Sequence, residues 1–106
     1  MEKIKDVKDN NFVYIGEKAF MNYVTAVVMK FTTEGRKEVK VCARGKLMSK
    51  AIDVVERVMN AFLVGDNSVL VKDIKIGSEK FDRKDDTTGK TWKVDVSFIE
   101  ITLGKK

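Results

Sequence analysis

Residues 11–46 read NFVYIGEKAFMNYVTAVVMKFTTEGRKEVKVCARGK, and a change of apolar period inside this stretch decides the fold. Asn11-Phe12-Val13-Tyr14-Ile15 is short, aromatic and β-branched, as strands are. From Ala19 the spacing changes. Phe20, Tyr23, Val24, Val27, Val28 and Phe31 recur at helical intervals and mark one face of a helix. Thr32-Thr33-Glu34-Gly35 ends it, with Gly35 as the C-cap glycine. Val39-Lys40-Val41-Cys42-Ala43 then alternates as a second strand. Strand, helix, strand in this succession predicts parallel neighbours joined by a right-handed crossover.

Beyond this unit, a second helix runs from Leu47 or Met48 through Phe62, with Met48, Ala51, Ile52, Val55, Val58, Met59 and Phe62 as its apolar face. Gly65-Asp66-Asn67 is a turn, and Val69 to Ile76 and Trp92 to Leu103 are two long strands. The polar segment Glu79 to Lys90 between them predicts an antiparallel hairpin with a long tip. The order is β-α-β-α-β-β, an α/β domain over residues 11–106. Residues 1–10, polar and of alternating charge, read as a flexible lead-in.

The last strand changes parity. Trp92, Val94, Val96 and Phe98 share one face, while Ile99, Ile101 and Leu103 share the other. Either a bulge intervenes, or one end of the strand meets the helices and the other a partner subunit. Helix two adds Phe62-Leu63 to the apolar surface. A homodimer using Met59, Phe62, Leu63, Ile101 and Leu103 is the expectation.

The chain has 106 residues, enough to bury a core without disulfides, and a net charge of +5 from 21 basic and 16 acidic residues. Cys42, the only cysteine, excludes an internal disulfide and reads as a small core residue. Histidine is absent, which removes the commonest acid–base group and metal ligand. There is no serine elbow, no Walker loop and no calcium-loop spacing around Asp82, Asp85 and Asp86, so no enzyme, metal or cofactor is implied. No apolar run is long enough to span a membrane, and the N-terminus lacks the apolar stretch of a signal peptide. A cytoplasmic location is expected.

Chemistry concentrates at two basic turns, Ile15-Gly16-Glu17-Lys18 and Ala43-Arg44-Gly45-Lys46, each where a strand gives way to a helix. Parallel strands bring both turns to one sheet edge. Lys18 and Asn22 share a face of helix one, and Lys46 and Lys50 share a face of helix two. Cations at helix starts oppose the macrodipole, so their presence suggests that an anion is expected there. Tyr23 is either core or an edge offered to a ribose or base. The hairpin tip balances Lys80, Arg83, Lys84 and Lys90 against Glu79, Asp82, Asp85 and Asp86.

At these residues the chain resembles the Alba family. Residues 15–24, Ile15-Gly16-Glu17-Lys18-Ala19-Phe20-Met21-Asn22-Tyr23-Val24, resemble its IGKKPVMNYV segment, and residues 43–53 resemble its ARGRAISKAVD segment. Ile74-Lys75-Ile76-Gly77-Ser78 and Ile99-Glu100-Ile101 match its hairpin. The resemblance implies a dimeric, archaeal, chromosome-associated protein that binds DNA, RNA or both. It further implies a two-layer sandwich: a four-stranded mixed sheet with two helices on one face and a long hairpin arm. Nucleic acid would meet Lys18, Asn22, Tyr23, Arg44, Lys46 and Lys50, with Arg83 and Lys84 on the arm. Lys18 matches a family lysine whose acetylation weakens DNA binding, which makes a deacetylase a partner. Departures point to weaker, more sequence- or shape-dependent binding: Glu17 replaces a lysine, Ala19 a proline and Lys46 an arginine, and Met59-Asn60-Ala61-Phe62 lacks two cations. An RNA-directed or ribonucleoprotein role is the alternative, and a structural assembly subunit with a vestigial basic edge is another.

Overall fold

A computed structural model describes residues 11–106, and the expected lead-in over residues 1–10 lies outside the described residues. Strand β1, Phe12–Tyr14, pairs in parallel with β2, Glu38–Arg44, placing Tyr14 opposite Cys42. Helix α1, Phe20–Thr32, makes the crossover and buries Tyr23, Val24, Val27 and Phe31. Its end turns through Gly35, where the Arg36 N–H donates to the Lys30 carbonyl at 2.9 Å. After β2 a single 3-10 turn, Gly45–Leu47, leads into α2, Met48–Arg57. Gly45 holds this junction at φ 54°, in the left-handed region that glycine tolerates best.

Strands β3, Val69–Lys84, and β4, Thr91–Lys105, complete a sheet of order β1-β2-β4-β3, with β4 antiparallel to both neighbours. The two helices pack on one face of it. Alternation in β2 sends Val39, Val41 and Ala43 to that face, and β4 adds Ile99, Ile101 and Leu103. Each fully buried valine or leucine contributes roughly 1.5–3 kcal/mol over exposure, so this layer carries the fold.

Helix two is turned relative to the expected face. Ala51, Val54 and Val55 are buried in α2, whereas Ile52 is exposed. Its last turn, Val58–Phe62, widens to a π-helix, with the Leu63 N–H donating to the Val58 carbonyl at 2.9 Å. That extra residue per turn delivers Leu63 into the core.

The parity change in β4 needs no bulge of its own. Pairing runs unbroken through Phe98 and Ile99, and the register shift lies in β3 between Val71 and Asp73. Ile99, Ile101 and Leu103 face the helices, and Trp92, Val94, Val96 and Phe98 face the helix-free side. The hairpin also pairs further than expected. Half of the predicted tip is strand, since Glu79–Lys84 pairs with Thr91–Val96, and Asp85–Lys90 turns. Cross-strand ion pairs Lys80–Asp95 at 2.8 Å and Lys93–Asp82 at 2.9 Å line the arm's helix side. Asp85 closes the turn: its carboxylate accepts the Thr87 N–H at 2.8 Å, which holds its pKa below the ordinary value.

Cys42 is not a core residue. It sits half-buried on the helix-free face, because it shares the parity of Lys40 and Arg44. Burial, and then the Glu100 carboxylate opposite it, push its thiol up to about 11 from 9.0. A folded-state pKa above the unfolded one adds stability that is complete below pH 9.0 and lost as pH rises through about 11. Alkylation by iodoacetamide should therefore rise with a midpoint near pH 11 in the native protein and near 9 in urea. A native midpoint near 9 would put the thiol in open solvent.

Candidate nucleic-acid interface

The carboxyl ends of β1 and β2 deliver the two basic turns side by side. The Ile15 N–H donates to the Cys42 carbonyl at 2.9 Å, extending the pairing to the edge. Helix α1 starts after Ala19 and α2 after Leu47; neither has a side-chain cap or an acid in its first turn. The Asn22 N–H returns to the Ala19 carbonyl at 3.0 Å and the Met48 N–H to the Gly45 carbonyl, while each helix start presents its positive dipole end. Lys18, Asn22 and Lys46 are exposed beside them. Among the described residues, neither Lys18 nor Lys46 has an ion-pair partner. Glu17 is exposed in the same turn, ahead of the first helical turn.

Lys50 does something else. Its Nζ donates to the carbonyls of Gly16 at 2.8 Å and Lys18 at 2.7 Å, and stands 5.0 Å over the Tyr23 ring. Two of three ammonium donors are spent binding one turn to the other. Lys50 is therefore a strut of the edge and not the outward phosphate ligand expected from its spacing. Tyr23 is core: it is 9% exposed, and its hydroxyl accepts the Lys18 N–H at 3.1 Å. Its edge is not offered to a ribose.

Arg44 reaches outward, but its Nε donates to Glu79 Oε1 at 2.8 Å and its guanidinium lies 5.3 Å from the Phe81 ring centroid. A residue of the arm thus holds a residue of the edge. Sequence reasoning missed this partner because thirty-five positions separate the two. Arg83 and Lys84 stand at the far end of the arm, opposite Trp92 and Thr91, roughly 20 Å beyond the last β2 pairing. The expected site residues therefore divide between one compact edge and a remote pair, Arg83 and Lys84, beside Asp85 and Asp86.

The expected dimer surface divides. Leu63, Ile101 and Leu103 are buried in the chain's own core, so they offer nothing to a partner. Met59 is partly buried, and Phe62 is exposed. Exposed apolar side chains not expected there, Ile74 and Ile76, lie on the helix side of β3, opposite Ile101 and Ile99. Their parity with the buried residues of β4 was the signal.

Comparison with known proteins gives a consistent picture. The Alba family model matches residues 11–78. The chain is 43% identical over 96 residues to the DNA/RNA-binding protein Alba of Methanococcus maripaludis, covering 91% of this chain and 99% of that one. It is 51% identical over 94 residues to the DNA/RNA-binding protein Alba of Nanoarchaeum equitans, covering 89% and 97%. Alba from Thermoplasma volcanium superposes with a TM-score of 0.74 at 34% identity, covering 90% of this chain and all of that one.

Because Lys50 is a strut, Lys50→Met should lower unfolding free energy by about 1–2 kcal/mol, as lost charge-assisted hydrogen bonds do. Urea denaturation measures it. An unchanged midpoint would mean that the Gly16 and Lys18 carbonyls do not need the ammonium.

Proposed function

The chain belongs to the Alba family, and from that premise we propose that it binds nucleic acid along the edge formed by its two basic turns. The observation that carries this reading is the pair of adjacent helix starts with no side-chain cap and no acid in their first turns, beside Lys18 and Lys46, which have no ion-pair partner among the described residues. Phosphates accept from such N–H groups, and the two ammonium ions neutralise them. Asn22 adds an exposed amide for a sugar or phosphate oxygen. Arg44 contributes after exchanging Glu79 for phosphate. Arg83 and Lys84 extend the contact along the arm.

Relatives described as DNA/RNA-binding support both nucleic acids as ligands. Binding is weaker than in more basic relatives, because Glu17 stands at the edge and the arm's cations Lys80 and Lys93 are already paired. The protein associates with the chromosome. Acetylation of Lys18 removes one of the two edge cations, Lys18 and Lys46, so a deacetylase restores binding. In a homodimer, a second copy covers Phe62, Ile74 and Ile76, which are 45%, 55% and 71% exposed in one chain.

A salt titration tests the edge. For duplex DNA, Lys18→Ala and Lys46→Ala should each weaken binding and flatten the log–log salt slope by about 0.9. Arg44→Ala should cost less than Lys46→Ala, since Glu79 already offsets its charge. The same series on duplex RNA reads the second ligand. Slopes unchanged in both lysine variants would move the interface elsewhere.

Phe62→Asp tests the dimer. A carboxylate buried against a second copy costs several kcal/mol, so sedimentation should give monomer. A sedimentation coefficient equal to that of the parent dimer would remove Phe62 from the interface.

A further inference from the structure

The sheet has a second face that no helix covers. Five of the nine aromatic residues lie on it: Phe12, Tyr14, Phe81, Trp92 and Phe98. In a domain with one core, aromatics at these positions are not explained by that core. Across the four strands Tyr14, Cys42, Glu100 and Lys75 stand in one row, and Arg44, Phe98 and Gly77 in the next. The Phe12 and Tyr14 rings are stacked, 5.7 Å apart and 11° from parallel, and Tyr14 is 60% exposed. Phe98 leans the other way. Its ring lies on the backbone of Gly77, where an added Cβ would come within 2.9 Å of Cζ. Between these aromatic walls is a depression of about 310 Å³ above the small side chain of Cys42.

Charge around the depression is arranged for an anion. Glu79 is taken by Arg44 at 2.8 Å, and Glu100 by Lys40 at 3.5 Å. Lys75 lines the depression and has no ion-pair partner among the described residues. The raised thiol pKa keeps Cys42 uncharged at neutral pH, so the floor adds no repulsion.

We propose that this face is a second nucleic-acid site, which takes an unpaired base of a single strand between Tyr14 and Phe98 with its phosphate on Lys75. Stacked rings beside an unmatched cation are what one nucleotide satisfies: the base supplies a π-face and the backbone supplies the charge. A duplex cannot enter, because its bases stack on each other and present no free face. A purely apolar protein side chain would fill the depression and leave Lys75 unmatched. The site shares only Arg44 with the duplex edge, which continues the surface from one face of the sheet to its end.

Fluorescent oligoadenylate and oligodeoxyadenylate, single-stranded or annealed to their complements, test this. Tyr14→Ala should weaken binding of both single strands about tenfold, within the range of one lost stack, and leave duplex binding unchanged. Lys75→Gln should flatten the single-strand salt slope by about 0.7. Lys18→Ala reports on the duplex edge alone, so failure of that edge and failure of this face are separable. Single-strand affinity unmoved by both Tyr14→Ala and Lys75→Gln would overturn the proposal. So would a self-association that Tyr14→Ala abolishes while single-strand binding persists. Should Tyr14→Ala not fold, protection of the parent chain's Cys42 from iodoacetamide by bound oligoadenylate supports the site, and equal labelling with and without it overturns the site.

Discussion

A lysine ammonium that two carbonyls share holds the working end of this protein together. The Gly16 and Lys18 carbonyls belong to the turn that leaves β1, and Lys50 belongs to the first turn of α2. Their bond fixes the separation of two helix starts that no side chain caps. It also presses the ammonium over Tyr23, whose hydroxyl receives the Lys18 N–H. Core, turn and helix thus meet at one cation. Since β1 is only three residues long, the strand pairing alone gives the first turn little purchase. The strut makes two short turns behave as one rigid edge.

The same sheet presents three unlike surfaces. Its helix face is a dry aliphatic layer. Its end is cationic and rich in backbone donors. Its open face is aromatic, with cations and acids largely matched to each other. Arg44 touches two of these surfaces and is tied to the arm through Glu79 and Phe81. Anything that draws the guanidinium away from Glu79 also loosens the base of the arm, so end and arm are mechanically linked by an exposed pair. Such exposed pairs are weak in water, so this contact opens at little cost.

Much of this was legible in the chain. The first strand follows from its aromatic and β-branched composition, and α1 and β2 from their apolar periods, because each buries one face and burial is what writes a period into a sequence. The meeting of the two basic turns at one sheet edge followed from the parallel pairing of β1 and β2. What stayed hidden has a common physical cause: it depends on partners distant in sequence or on surfaces without burial. The arm is exposed on both faces, so no apolar alternation marks Glu79–Lys84 as strand. The rotation of α2 buries Val54 and exposes Ile52, two aliphatic residues whose chemistry alone does not rank them. Cys42 looked like core by its chemistry and is placed outside it by parity. Lys50 has the spacing of a ligand, yet two carbonyls thirty-odd residues earlier claim it.

The topology has a consequence for how the chain finds its structure. β3 and β4 are joined by the Asp85–Lys90 turn and zip outward from it, a local reaction of microseconds. β2 must then find β4 across more than fifty residues, Arg44 with Phe98 and Glu38 with Gly104, the slow kind of encounter that contact order measures. The ribbon is therefore the fast-forming part, and the edge held by Lys50 is the part that waits for the long-range closure. Between these events Phe98 stands without β2 beside it, and the alternating lysines and aspartates on the ribbon's helix side are what keep two such ribbons from pairing with each other.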